Sequence, residues 1–311
     1  MDVRRLACIW VMACATLLVG ALSSVHAASA EMSPQTKIGV LILAHGGSAQ
    51  WNHLVEEAVA DAKLPYPTEI AFGMAMHPEE VRAIQRRVNV LEARHVQRIV
   101  VIPLLISSAS EVMRQFTYVL GLCEHGPWEA HIKPVTHRVS MLMTGPLDDD
   151  PVVAAVLLDR AKELSRTPDE ESVVLIAHGP NEETDNARWL ETMQRIARRV
   201  EAMGHFRTVV PVTMRDDAPA PIRDAATQQM RAIVSAQSAK GRTLVVPLLL
   251  ASGGVEAKIP SRLHGLTYSF RGQGLLPHPK LSQWIAHQVD ASAQRAGSLL
   301  PSDEQRPIRV L

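Results

Sequence analysis

Cysteine is nearly absent from this chain. Of three in 311 residues, Cys8 and Cys14 fall in the first segment, so the rest of the chain holds Cys123 alone. That excludes an internal disulfide in the body of the protein, and no C-x-x-C motif offers a closed zinc or redox site. Aromatic residues are few as well: four Phe, three Tyr and five Trp leave Ala, Val and Leu to build the core. Neither charge dominates, with 32 Lys plus Arg against 32 Asp plus Glu. The chain therefore lacks the basic excess of a nucleic-acid binder or of a protein held on anionic lipid. Beyond the opening segment no long apolar run occurs, so nothing in the body reads as a membrane span.

The opening segment is the exception. Arg4 and Arg5 precede an apolar run from Leu6 to Leu22, and the small-residue sites Val25-His26-Ala27 and Ala28-Ser29-Ala30 follow. This is the form of a secretory signal peptide, cleaved after residue 27 or 30. The expected location is export, to the periplasm, with no stable membrane insertion after cleavage. The alternative is an uncleaved N-terminal anchor, since the run sits at the short end of spanning length.

Two kinds of periodicity then alternate along the chain. Buried strands are expected at 37–44, 68–74, 98–106 and near Ile132–Val135, with helices at 50–62, 78–94, 110–120 and 151–164. The same order returns, with strands at 172–177, 208–214, 243–250 and 266–270 and helices at 184–203, 220–239 and 280–293. Landmarks return too. "GVLILAHGG" (39–47) is echoed by "SVVLIAHGP" (172–180), and "IVVIPLLISS" (99–108) by "TLVVPLLLAS" (243–252). Continuous apolar strands are what parallel sheets buried on both faces require. The expected fold class is α/β: two similar lobes, each a short parallel sheet flanked by helices, facing a central cleft. The polar stretch "LSRTPDEE" (164–171) places the boundary. It separates an N-terminal domain of 31–166 from a C-terminal domain of 167–296, after the leader 1–30 and before a tail 297–311.

Ligands of such sheets collect at the carboxyl ends of strands. Packing calls for the apolar runs but not for the histidine that ends them, and here His45 and His178 each end one. Gly46, Gly47 and Gly179 beside them let a ligand approach the backbone closely. The loops after the third strands of each half carry Ser107 and Ser108, and Gly253 and Gly254. These seven residues are expected to line the substrate. Glu111 and Glu256 follow those loops. Imidazole with carboxylate suits a first-row divalent metal, and either group can accept a proton. His45, His178, Glu111 and Glu256 are thus candidate metal ligands, with His45 and Glu111 as the catalytic pair. No G-x-S-x-G elbow, G-x-G-x-x-G turn, Walker loop or H-E-x-x-H occurs, so no nucleotide cofactor is expected. Asp148 to Asp150 read as acids opening a helix at Pro151, and Met74 and Met76 as core. His77 is an outside candidate for the cleft, and His278 reads as a loop residue. Glu182, Glu183 and Asp185 read first as acids at a helix start capped by Thr184 or Asp185.

The stretches "LILAHGG", "VVIPLLISSASEVMRQ", "GPLDDDPVVAAVLLDRA" and "VLIAHGPNEETDNARWL" resemble the class II chelatases, of the sirohydrochlorin cobaltochelatase or ferrochelatase type. The similarity covers nearly all of residues 37 to 293. It implies two α/β lobes around a tetrapyrrole, into which a divalent metal is inserted without ATP. The metal is a substrate, cobalt or iron, with nickel as a further candidate. His45 matches the family's histidine after the first strand, and His178 is its counterpart in the second half. Many members carry another histidine in the loop after the third strand. Here Ala109 stands at that place, and Gly254 or Val255 in the second half. The resemblance therefore leaves two readings: an active chelatase, or an exported binding protein for metal or tetrapyrrole on the same fold.

Overall fold

The computed structural model describes residues 37–123 and 131–298. The expected leader and the tail beyond residue 298 lie outside them. The first half runs β1 (Ile38–Ala44), α1 (Ala49–Asp61), β2 (Thr68–Phe72), α2 (Pro78–Ala93), β3 (Arg98–Leu104), α3 (Glu111–Val119), β4 (Ser140–Met143) and α4 (Pro151–Lys162). The second runs β5 (Ser172–Ala177), α5 (Glu183–Gly204), β6 (Thr208–Thr213), α6 (Ala220–Ser238), β7 (Thr243–Leu248), α7 (Ile259–Arg262), β8 (Ser269–Phe270) and α8 (Pro279–Ser298). The strands form two four-stranded sheets of identical order, β2-β1-β3-β4 and β6-β5-β7-β8, with every pairing parallel.

Alternation along each strand divides its side chains between two cores. In β1, Val40, Ile42 and Ala44 join one cluster, while Leu41 and Leu43 join Ile84, Val88 and Phe116 under α2 and α3. The equivalent outer cluster of the second sheet sets Val174 and Ile176 against Met230 and Val234 of α6. The remaining cluster is shared. It takes Val40 and Ile42 from the first sheet, Val173 and Leu175 from the second, and the apolar faces of α4, α5 and α8. Each fully buried Leu or Ile contributes roughly 1.5–3 kcal/mol, so this common core is what joins the halves.

The joining involves an exchange of helices. α4, from the first half of the chain, packs on α5 and β7 of the second, and α8, from the second half, packs on α1, β1 and β3 of the first. Trp284 of α8 donates its indole N–H to Asp150, the N-cap of α4, at 3.0 Å. Arg160 of α4 donates to the carbonyls of Gly274 and Pro277 at 3.0 and 2.7 Å. The described residues accordingly fall in a single compact unit.

One strand lies elsewhere than its pattern suggests. Ile132–Val135 is not a strand; β4 is Ser140–Met143. Ile132 and Val135 are buried because they lie against α3, where Tyr118 Oη donates to the Ile132 carbonyl and Val135 N–H to that of Val119. Both motifs bury apolar residues, and only pairing with β3 separates them.

Candidate functional site

The site begins with two matching turns. His45 follows β1, and its Nδ1 lies 2.7 Å from the carbonyl oxygen of Gly46; His178 follows β5, and its Nδ1 lies 2.8 Å from that of Gly179. A carbonyl only accepts, so Nδ1 carries the proton in both rings and Nε2 keeps its lone pair. Both glycines have left-handed backbones, at φ +80° and +74°. They are also crowded by the neighbouring strand. A Cβ on Gly46 would sit 3.2 Å from Phe72 Cβ, and one on Gly179 only 2.5 Å from Thr213 Cβ. A side chain at either position would tilt the turn that aims the imidazole.

The lobes meet at these ends. Gly253, after β7, approaches so closely that a Cβ there would lie 2.7 Å from Ser48 Oγ in the turn after β1. Across the junction, Arg114 of α3 pairs with the buried Asp185 of α5 at 2.8 Å. The loop after the first strand of one lobe thus faces that after the third strand of the other, in both directions. His45 is exposed and lies beside Trp51, ring centroids 6.5 Å apart, with Phe72 behind the indole.

The remaining predicted residues divide. Glu111 opens α3 and is exposed, free to face a ligand, with Ser110 capping the helix behind it. Glu256 is instead turned back on its own loop, accepting from Gly253 N–H at 2.6 Å and from Gly254 N–H at 3.0 and 3.1 Å. Those amides satisfy the buried carboxylate, which makes Glu256 and both glycines parts of one turn rather than a free ligand with two substrate contacts. Ser107 is buried and accepts from Ala109 N–H. Ser108 gives both its N–H and its hydroxyl to Asp148, at 2.8 and 3.1 Å. Gly47 remains over Trp51 and donates to Asn52. His77 caps α2 with Glu80, and Asp149 pairs with Arg195. The α5 N-cap is Glu182, two positions before Thr184 and three before Asp185, and Glu183 and Asp185 pair with Arg215 and Arg114.

Sequence reasoning missed a set around His178. Its Nε2 lies 3.1 Å from Asp217 Oδ2, and an oxygen of Asp216 is the third ligand atom, all three lying within 4.8 Å of one another. Asp216 is buried and held by Lys258 Nζ at 2.5 Å and by Arg262. Burial pushes its carboxyl up, but the Lys258 hydrogen bond and the Arg262 charge outweigh burial and hold it below the ordinary 3.8. Arg215 fixes the histidine's loop through the Pro180 carbonyl at 3.1 Å and the Glu183 carboxylate at 2.5 Å. The signal was available in "MRDDA", which directly follows β6 and so ends beside β5. The stretch after β2, Gly73 to Met76, carries no acid.

Two parallel α/β lobes, joined through a shared core by exchanged helices and each presenting a strand-end histidine, define a class II chelatase fold. The chain belongs to the CbiX family, whose profile matches it twice, over residues 39–164 and 172–293. One relative, the sirohydrochlorin cobaltochelatase of Methanothermobacter thermautotrophicus, is 26% identical over 136 residues, which are 40% of this chain and 92% of that protein. Among solved structures, SirB from Bacillus subtilis with Fe3+ superposes with a TM-score of 0.59 at 18% identity, covering 84% of this chain and 97% of that one.

Proposed function

We propose that this protein inserts a divalent metal, cobalt or iron, into a sirohydrochlorin-like tetrapyrrole. The observation that carries the reading is the matched presentation of His45 and His178 at equivalent strand ends, each with Nδ1 spent on its own turn and the Nε2 lone pair left for a ligand. Insertion exchanges two pyrrole N–H protons for one M²⁺, so the site must hold a partly dehydrated cation and accept protons. His45 is the principal ligand and proton acceptor because it is exposed beside consecutive glycines, where a flat ring can approach. Glu111, exposed at the start of α3 in the same lobe, is the acid of this pair, and His178 supports from the other lobe. The family membership and the cobaltochelatase relative support the same reaction. The leader in the sequence supports an exported, periplasmic protein.

Anaerobic insertion of Co²⁺ and Fe²⁺ into sirohydrochlorin, followed by absorbance, tests this. Wild type should exceed the uncatalysed rate with at least one metal, and His45→Ala should not. No acceleration with either metal overturns the reading.

A second reading is favoured by one observation. With Ala109 at the family's loop histidine and Glu256 bound to its own loop amides, the site has fewer free ligands than a full chelatase centre. On that reading the protein carries metal or tetrapyrrole without turnover, and it would bind sirohydrochlorin tightly while leaving the insertion rate unchanged.

A further inference from the structure

The two exchanged helices start alike. Asp150 and His278 each stand before a proline, and each caps the helix that follows: Asp150 accepts from Val152 N–H at 2.9 Å, and His278 Nδ1 accepts from Lys280 N–H at 3.3 Å. The second polar atom of each cap reaches the other exchanged helix. Asp150 Oδ2 receives the Trp284 indole N–H of α8, and His278 Nε2 lies 3.3 Å from Asp159 Oδ2 of α4. The amide of Lys280 can only donate, so Nδ1 holds the lone pair and Nε2 carries the proton given to Asp159. The ring is therefore neutral, in the opposite tautomer to His45 and His178, and its side chain is only 12% exposed. The two caps differ in one respect. A carboxylate stays an acceptor down to about pH 4, whereas imidazole becomes a donor at both nitrogens near about 6.5.

We propose that His278 is a proton-operated latch on α8, whose release loosens the loop after β7 at the junction of the lobes. A proton at Nδ1 sets two donors face to face and removes the cap of Lys280. It also puts a positive ring at the positive end of the helix. The surroundings already carry charge of that sign: Arg160 from α4 and Lys280 from α8 act on the ring, with Asp159 opposing them. Asp159 is itself shared with Lys280 and lies in the field of Lys162, while Glu163 is engaged by Arg160 and Arg271. The new charge thus meets acids that are already paired. The residues just before the latch are bonded to the loop after β7. Leu275 and Leu276 N–H donate to the carbonyls of Leu249 and Leu250, each at 2.8 Å, and Gly274 N–H to Ser252 Oγ at 3.0 Å. Gly253, next in that loop, is the residue pressed against Ser48 in the turn that follows His45. Freeing α8's first turn therefore slackens the contact between the lobes at their strand ends. The latch depends on none of the chemistry proposed above.

The test is amide hydrogen exchange of the full chain, read by mass spectrometry between pH 7.5 and 5.5 and corrected for the intrinsic rate. An opening that takes up one proton becomes up to about tenfold more populated per pH unit below about 6.5, until the closed form is itself protonated. Segments 274–284 and 249–254 should lose protection on that scale, while β5 and α6 keep theirs. His278→Asn should keep both segments protected throughout, because its amide oxygen caps as the Asp150 carboxylate does and does not titrate. Constant protection in wild type, an equal loss in β5 and α6, or the same loss in His278→Asn overturns the latch. Loss in 274–284 alone overturns its coupling to the loop. If His278→Asn fails to fold, nitrogen NMR of wild type decides. His278 must show a bare Nδ1 at pH 7.5 that gains a proton as the Lys280 amide signal moves, and a ring protonated at Nδ1 at pH 7.5 overturns the proposal.

Discussion

Arg114 and Asp185 lie 71 positions apart in the chain and 2.8 Å apart across the junction of the lobes. The acid is 8% exposed and the arginine 47%. This pair ties the helix after the first lobe's third strand to the helix after the second lobe's first. Arg114→Met would leave Asp185 buried without its cation. Because the arginine is half exposed, the cost should be about 1–2 kcal/mol rather than that of a fully buried pair. Chemical denaturation checks this, and adding Asp185→Asn should restore part of the loss by removing the orphaned charge.

The two histidines should rank unequally in metal insertion. His45→Ala should abolish it, whereas His178→Ala should lower it on the order of 10-fold to 100-fold, as for a supporting metal partner. The comparison needs folded variants of matched stability. A reverse ranking would move the reacting centre to the second lobe.

The glycines that aim these histidines should also differ. Gly179→Ala places a Cβ 2.5 Å from Thr213 Cβ on a left-handed backbone, so both overlap and strain act, and about 3 kcal/mol should be lost. Gly46→Ala meets Phe72 at 3.2 Å, where a small shift relieves the overlap, and strain alone leaves about 1 kcal/mol. Thermal unfolding of the two variants measures the difference.

Acid should destabilise the protein in two stages. Burial, with the charges of Arg160 and Lys280, holds His278 below its ordinary 6.5 despite the opposing Asp159. The unfolded chain then binds the proton first, so this stability is present above about 6.5 and is lost as pH falls from there. The Arg195 hydrogen bond holds Asp149 below 3.8, and Lys280 does so for Asp159 against its burial. Their contributions are present above 3.8 and lost below it. Denaturation midpoints should therefore drop between pH 7.5 and 5.5 and again below 4, and His278→Gln should flatten the first drop.

Much of this protein was legible in its residues. The apolar runs ending at Ala44, Leu104, Ala177 and Leu248 mark the central strands, because a strand buried on both faces can contain little else. The same runs place His45 and His178 at strand ends, and the acids before α4 mark its start through the helix's own unsatisfied amides. These are local determinants. What the tertiary structure alone decided depends on which distant surfaces meet. Local pattern shows that α4 and α8 have apolar faces but not that each covers the other lobe's sheet. It shows that Glu256 follows a glycine loop but not that the loop's own amides capture the carboxylate. It shows Asp216 and Asp217 as exposed-looking acids, and only the parallel pairing of β5 with β6 brings them to His178. Burial periodicity reports how much a segment hides, while the identity of its partner is set by the crossing of segments far apart in the chain.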